Sequence, residues 1–178
     1  MVLYVGTFSK TLFPGLRLGW VAADRECIDG LAAVKRYSDL GASPLLQMAV
    51  EHFCRMGCYD RHLQRLARAF RKRMGAAHRT LERCLPRGIE WTRSAGGYTL
   101  WFRLPRPVDE ATLSAALSPH GVAVAPGSYF YPEAGASEHF RVSIASLNES
   151  EIVSGLERLG RALAGIIPPG GRHVRPAR

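Results

Sequence analysis

Two apolar runs near the start of the chain predict strands. Residues 2–8, VLYVGTF, are mostly β-branched or aromatic and carry no charge, which is typical of a strand buried on both faces of a parallel or mixed sheet. Residues 17–23, RLGWVAA, predict a second short strand, and Pro14 and Gly15 mark a turn between the two. Because a buried strand needs hydrogen-bonded neighbours on both sides, we expect the chain to be the later part of a larger fold.

A helical pattern follows from residue 24 to residue 86. The first helix has apolar residues at Ile28, Leu31 and Ala32. The second, residues 44–56, is mostly apolar and ends at Gly57, as suits a deeply packed interface helix. The third, residues 59–85, is long and basic, and one apolar stripe runs along it: Leu63, Leu66, Ala67, Phe70 and Met74.

Beyond residue 86 the pattern changes to short strands and connecting helices. The segments IEWTRS, GYTLWFRL, VAVAP and HFRVSIA predict strands, with a helix over about residues 109–120. A final helix is predicted over about residues 148–163, where Asn148 and Glu151 have the spacing of a capping box.

These elements predict two unequal parts and a tail. Residues 1–70 contain the two strands and the helices that follow them, and residues 71–165 predict an α+β unit. The sequence from Gly165 onward is GIIPPGGRHVRPAR, which is rich in Pro, Gly and Arg. We therefore expect a flexible tail over residues 166–178.

The composition indicates a globular protein with a basic surface. The 178 residues include 24 Lys and Arg against 15 Asp and Glu, a net charge of +9, which is compatible with nucleic acids, acidic membranes or phosphorylated ligands. The third helix carries many of these cations and could face DNA. Its charges are spread around the helix without a recognition-helix pattern, so a solvated face is the favoured interpretation.

The four cysteines do not form a metal motif. Cys27, Cys54, Cys58 and Cys84 include no C-x-x-C pair and no zinc-finger spacing. We therefore predict reduced thiols, no metal site and a cytoplasmic location. No apolar run approaches the ~18 residues that span a bilayer, so no membrane association is expected.

The most informative stretch is GTFSKTLFPGLRLGW, residues 6–20. A lysine such as Lys10 becomes a nucleophile when partial burial and a neighbouring cation lower the pKa of its amine. Arg17 together with the hydroxyls of Thr7 and Ser9 could cradle a phosphate. A ligand with both an aldehyde and a phosphate matches this set, and pyridoxal 5'-phosphate (PLP) is such a cofactor.

The same stretch resembles the cofactor-lysine signature of fold-type I PLP-dependent aminotransferases of class I/II. It is most similar to the subgroup that contains aminoadipate- and kynurenine-type aminotransferases and the aminotransferase domains of MocR-type, GntR-family transcription regulators. The resemblance extends over about residues 2–165, through four further segments: GCYDRHLQRLARAFRKRM, SAGGYTLWFRLP, GVAVAPGSYFYP and HFRVSIASLNESEIVSGLERLGRAL.

The resemblance implies an α/β fold, the C-terminal part of a PLP-dependent transferase fold, and a role for each site residue. It implies that residues 1–70 are the C-terminal part of the PLP-binding large domain with interdomain helices, and that residues 71–165 are the small C-terminal α+β domain. It implies that Lys10 forms the Schiff base with PLP and that Arg17 binds the cofactor phosphate. Thr7 and Ser9 would lie at or near that phosphate, and Arg141 would pair with the substrate α-carboxylate. Family members are commonly homodimers, and residues 44–56 could belong to such an interface.

The resemblance also implies two functions, which the sequence leaves open. The first is amino-group transfer between an amino acid and a 2-oxo acid. The alternative is an effector domain of a MocR-type regulator that senses PLP or an amino acid, with DNA bound only through an upstream domain. In the family, the aspartate, asparagine, tyrosine and stacking aromatic residue that hold the cofactor ring precede the lysine. Only nine residues precede Lys10, so we expect a fragment of a longer chain.

Overall fold

The fold is divided into two units, residues 1–66 and residues 67–178. It is seen in a computed structural model that describes residues 2–94, 96–132, 135 and 137–167. The domain limits inferred above at residues 70 and 165 stay predictions. Each unit is described by itself.

The first unit contains a two-stranded antiparallel sheet. Strand β1, Tyr4–Thr7, pairs with strand β2, Gly19–Ala22, with Tyr4 opposite Ala22 and Thr7 opposite Gly19. The expectation that these strands are buried on both faces is wrong for this chain, since the Val5 side chain is 72% exposed. Within the described residues each strand has only the other as a partner.

Helices complete the first unit. Helix α1 spans Arg25–Asp39, and the Asp24 carboxylate caps it by accepting from the Cys27 amide at 2.9 Å. Helix α2 spans Pro44–Arg55, and helix α3, Cys58–Cys84, begins in the first unit and continues into the second. Large apolar side chains on α1 and α2 remain exposed: Leu31, Val34, Tyr37, Leu45, Leu46 and Met48.

A four-stranded antiparallel sheet forms the centre of the second unit. Its strands are β3 (Glu90–Trp91), β4 (Thr99–Val108), β5 (Ala125–Pro126) and β6 (Ser137–Ser143), in the spatial order β3-β4-β6-β5. Helix α4, Glu110–Leu117, follows β4, and helix α5, Glu149–Ala164, follows β6.

Alternation along β4 and β6 separates a buried face of this sheet from an exposed one. Leu100, Phe102 and Phe140 are fully buried in the core, together with residues of α3, α4 and α5. The intervening residues Trp101 and Arg141 stand opposite each other in the β4–β6 register and share the other face. One face of the sheet is therefore core, and the other carries polar and aromatic side chains.

The predicted helices are confirmed, whereas two predicted strands are much shorter than expected. VAVAP contributes only Ala125–Pro126 and IEWTRS only Glu90–Trp91. The predicted capping box at Asn148 and Glu151 is present. Ile166 and Ile167, counted above in the tail, pack against the core, and residues 168–178 lie outside the described residues.

Candidate active site

The lysine loop, residues 8–18, joins β1 to β2 and is held by its own backbone. The Phe8 amide donates to the Leu18 carbonyl at 3.1 Å, and the Leu12 amide donates to the Phe8 carbonyl at 2.7 Å. Leu16 and Leu18 are buried in a small core with Val50 of α2. Burial of these apolar side chains stabilises the loop in one conformation.

The first turns of α3 hold the loop next to the lysine. The Tyr59 hydroxyl donates to Thr11 Oγ1 at 2.9 Å, and His62 Nε2 lies 2.7 Å from the Thr11 carbonyl oxygen, to which it must donate. The Tyr59 ring also meets the Phe8 ring edge-on at 5.6 Å. Sequence reasoning assigned no role to Tyr59 or His62, although their spacing of three puts them on one helix face.

Lys10 is exposed and differs from the other lysines of the chain. There are three lysines, and Lys35 and Lys72 each form an ion pair at 2.8 Å, with Asp39 and Glu149 respectively. Lys10 has no ion pair or hydrogen bond within the part of the chain that the structure describes. Its amine is thus a cationic group without an internal partner.

Arg17 occupies an unusual backbone conformation. Its φ of 49° and ψ of 34° lie in the left-handed region, which costs a non-glycine residue about 1 kcal/mol. The buried side chains of Leu16 and Leu18 on either side fix this conformation and leave the Arg17 side chain exposed. Among the described residues the guanidinium has no ion pair either, so Arg17 is a second unpaired cation on the same loop.

The two hydroxyls of the motif are not equivalent. Thr7 Oγ1 donates to the Leu18 carbonyl at 3.4 Å and accepts from the Ser9 amide at 3.1 Å. This shapes the chain just before Lys10. Within the described residues the Ser9 hydroxyl has no hydrogen-bond partner. Ser9 is therefore the hydroxyl free to meet a ligand, and Thr7 shapes the loop.

The donor set of the loop suits PLP. An amine can bond an aldehyde carbon, and a guanidinium with a hydroxyl can hydrogen-bond a phosphate dianion. Lys10, Arg17 and Ser9 supply these three groups from one folded loop, and both cations lack a counter-charge among the residues described. A phosphate dianion would supply the counter-charge for Arg17, while the Lys10 amine would meet the aldehyde. The residues therefore fit the cofactor that the sequence suggested.

Arg141 lies in the second unit, on β6. Its Cα is opposite Trp101 on one side and Ala125 on the other. The side chain is exposed and lies over the Phe130 ring, with Cζ 4.7 Å from the ring centroid. No carboxylate of the described residues pairs with it.

Among the residues that the structure describes, no group of three or more His, Cys, Asp or Glu side chains could hold a metal ion. In the same residues, no helix is both long and apolar enough to cross a membrane.

Comparison of the sequence identifies relatives of two kinds. The 2-aminoadipate transaminase of Thermus thermophilus is 35% identical over 166 residues, covering 93% of this chain and 42% of the relative. The HTH-type transcriptional regulator YdcR of Escherichia coli, described as uncharacterized, is 36% identical over 144 residues, covering 81% of this chain and 31% of the relative.

Solved structures of aminotransferases match the fold. LysN, an α-aminoadipate aminotransferase from Thermus thermophilus complexed with N-(5'-phosphopyridoxyl)-L-leucine, has a TM-score of 0.86 at 34% identity, over 93% of this chain and 42% of that one. The Pyrococcus horikoshii kynurenine aminotransferase has a TM-score of 0.88 at 29% identity, over 94% and 41% of the two chains. The chain thus spans about two fifths of these relatives.

The predicted fold class is confirmed by these likenesses: the chain has part of the α/β fold of PLP-dependent transferases. The sequence model of aminotransferase class I and II matches residues 1–159, nearly the whole chain. The chain therefore belongs to the aminotransferase class I and II family.

Proposed function

We propose that this chain is part of a PLP-dependent aminotransferase, which moves an amino group between an amino acid and a 2-oxo acid. One observation carries the proposal. The lysine loop of a class I and II family member presents two cations, Lys10 and Arg17, that have no internal counter-charge among the described residues. Buried leucines and contacts with α3 hold that loop in place.

Each residue of the lysine loop has a distinct task in this proposal. When bound, PLP supplies an electron sink that stabilises negative charge at the substrate α-carbon. Lys10 Nζ would hold PLP at its aldehyde carbon, and as a free amine it would carry a proton to and from the substrate α-carbon. Arg17 and Ser9 hold the phosphate, and Thr7 keeps Ser9 in position.

Arg141 is proposed to hold the substrate α-carboxylate. Its planar guanidinium can donate two parallel hydrogen bonds to a carboxylate, which orients the α-carbon as a lysine ammonium could not. The side chain is exposed on β6.

We propose that the protein acts as a homodimer in the cytoplasm. Leu45 and Met48 of α2 are 75% and 69% exposed, and covering them in an interface would be favourable. Among the residues described, Cys54, Cys58 and Cys84 form no disulfide, which suits a reducing compartment.

A second function is favoured by the regulators among the relatives. YdcR and several other HTH-type transcriptional regulators match this chain at similar identity to the aminotransferases. The alternative proposal is an effector domain that binds PLP and an amino acid and signals to a DNA-binding domain elsewhere in the protein. Amino-acid binding without any formation of the 2-oxo acid product would favour this alternative.

The first test is covalent capture of PLP by Lys10. The purified chain is incubated with PLP, reduced with borohydride, digested and mapped by mass spectrometry. We expect the cofactor on the peptide containing Lys10 and none on that peptide in Lys10→Ala. Lys35, which is ion-paired with Asp39, provides the control, because Lys35→Ala should be labelled at Lys10 like the wild type.

Two results would contradict the proposal. The first is equal labelling of all three lysines, which would mean that PLP reacts with any accessible amine. The second is labelling of Lys10 that is unchanged by Arg17→Ala at limiting PLP. Arg17→Ala removes a charge-assisted hydrogen bond to the phosphate, and such bonds are about twice as strong as neutral ones. We therefore expect labelling of Lys10 at limiting PLP to fall by about tenfold or more.

A further inference from the structure

The Phe130 ring lies directly beneath the guanidinium of Arg141. Phe130 ends a short 3-10 turn, Gly127–Phe130, that follows β5, whereas Arg141 stands on β6. The Arg141 Cζ atom is 4.7 Å from the ring centroid, within the range of a cation–π interaction. Phe130 is 42% exposed and Arg141 is exposed as well, so the ring leaves part of the Arg141 side chain accessible.

A second aromatic residue holds the Phe130 ring. Trp101 meets it edge-on, with ring centroids 5.2 Å apart and planes at 86°, a favoured aromatic geometry. Trp101 is also the cross-strand partner of Arg141 in the β4–β6 register, so all three side chains meet on the exposed face of the sheet.

Two other residues of the turn that carries Phe130, Gly127 and Tyr129, fix its position. A Cβ atom at Gly127 would lie 2.4 Å from the His139 carbonyl oxygen, so only glycine allows this close packing. The Tyr129 hydroxyl donates to Glu110 Oε1 of α4 at 2.7 Å. These contacts connect the turn to β6 and to α4, and Phe130 has little freedom to move away from Arg141.

We propose that Phe130 is a positioning residue that holds the Arg141 guanidinium ready for a carboxylate. An arginine side chain loses much rotamer freedom when it forms a two-point pair. The ring beneath Arg141 restricts that freedom in advance and leaves the guanidinium edge open for hydrogen bonds. This inference rests on the proposed role of Arg141 in binding the substrate α-carboxylate.

The geometric half of the proposal is tested by NMR of the arginine Nε–Hε groups in the full chain. Protons above an aromatic ring are shifted upfield by its ring current. We expect the Arg141 Hε resonance, assigned with Arg141→Lys, to lie upfield in the wild type and in Phe130→Tyr, and to lose that shift in Phe130→Leu. The same shift in wild type and Phe130→Leu would overturn the proposal.

The functional half is tested by titrating these proteins with pyruvate as a simple 2-oxo acid. Because Phe130→Leu loses an exposed cation–π contact, its affinity for pyruvate should be about two- to fivefold lower than that of the wild type. Phe130→Tyr keeps an aromatic ring and should bind pyruvate with the wild-type affinity. Tyr131→Leu is the matched control, since Tyr131 is the neighbouring exposed aromatic residue and contacts His139 rather than Arg141. Its affinity should equal that of the wild type.

The outcomes separate this inference from the function on which it rests. If pyruvate shifts the Arg141 resonance of the wild type and of Phe130→Leu with equal affinity, Arg141 binds carboxylates and the role of Phe130 is refuted alone. If pyruvate leaves the wild-type Arg141 resonance unchanged, the carboxylate role itself is refuted, and the positioning role with it. The indole resonance of Trp91, whose Nε1 donates to His78 Nδ1 at 3.1 Å, reports whether each variant keeps the fold of the second unit.

Discussion

At the scale of single residues, the environment of His78 favours one protonation state of its side chain. It lies half-buried on α3, and its Nδ1 accepts a hydrogen bond from Trp91 Nε1 at 3.1 Å. Burial, followed by the positive charge of Arg93, lowers the pKa of His78 below its ordinary value, while Glu82 partly opposes this. The folded protein therefore favours the neutral imidazole, which can still accept the bond from Trp91.

This environment predicts a loss of stability in weakly acidic solution. The unfolded chain binds a proton at His78 near its ordinary pKa of about 6.5, whereas the folded chain resists protonation until a lower pH. The free energy of unfolding should therefore fall as the pH decreases from about 6.5 toward the lowered pKa of the folded state. Urea unfolding at several pH values between about 7.5 and 5.5, followed by tryptophan fluorescence, measures this dependence.

Substitution assigns the effect to one histidine. His78→Gln removes the titration and should flatten the pH dependence in that range. His52 is exposed on α2, and His52→Gln should keep the wild-type dependence. A wild-type slope in His78→Gln would contradict the prediction.

At the scale of elements, helix α5 is defined by its first turn and by one close contact. The Asn148 side chain accepts from the Glu151 amide at 3.0 Å while the Glu151 carboxylate accepts from the Asn148 amide at 2.8 Å, which begins the helix. Further along, Gly160 packs against the end of α3, where a Cβ atom would lie 2.4 Å from the Cys84 carbonyl oxygen. Glycine at this position lets the two helices approach each other.

Two glycines of the same helix predict opposite responses to alanine. Gly160→Ala forces α5 away from α3 and should destabilise the second unit by about 1–3 kcal/mol. Gly155 has nothing within 4 Å of an added Cβ, so Gly155→Ala should be neutral or stabilise by up to about 1 kcal/mol through helix propensity. Urea unfolding of the two variants measures the difference, and equal stabilities would refute the assigned packing role.

At the scale of the whole molecule, the apolar surface is unevenly distributed. The second unit buries a large core around Phe102 and Phe140, whereas the small core of the first unit consists of Leu16, Leu18 and Val50. Large side chains of the first unit stay in solvent, including Tyr37, which is 90% exposed. Exposed apolar surface on this scale favours association with another protein surface.

Self-association is accordingly expected to depend on α2. Sedimentation velocity of the wild type should show a sedimentation coefficient that increases with concentration. In Leu45→Glu/Met48→Glu, the association should be weaker by about tenfold or more, because burying each apolar side chain contributes about 1.5–3 kcal/mol. Gln64→Glu adds a charge at an exposed polar position of α3 and is the control. The same concentration dependence in all three proteins would exclude α2 from the interface.

Much of the architecture was predictable because its causes are local in the sequence. The helices follow from apolar periodicity and capping residues such as Asn148 and Glu151. The lysine motif also predicted a set of cofactor-binding residues, Thr7, Ser9, Lys10 and Arg17, and their roles stay predictions. The lengths of β3 and β5 could not be predicted in this way, because a strand extends only as far as its partner allows hydrogen bonds, and β5 pairs with β6 at two positions.

The sequence by itself determined the element types, the lysine motif and the family, because periodicity and motif spacing act over a few neighbouring residues. The tertiary structure decided which residues support the site. Tyr59 and His62 reach Thr11 across 48 and 51 positions, and Phe130 meets Arg141 from a different element. Only the packing of helices and strands brings such residues together. The pattern of a short sequence segment does not show which distant side chains will contact that segment in the folded chain.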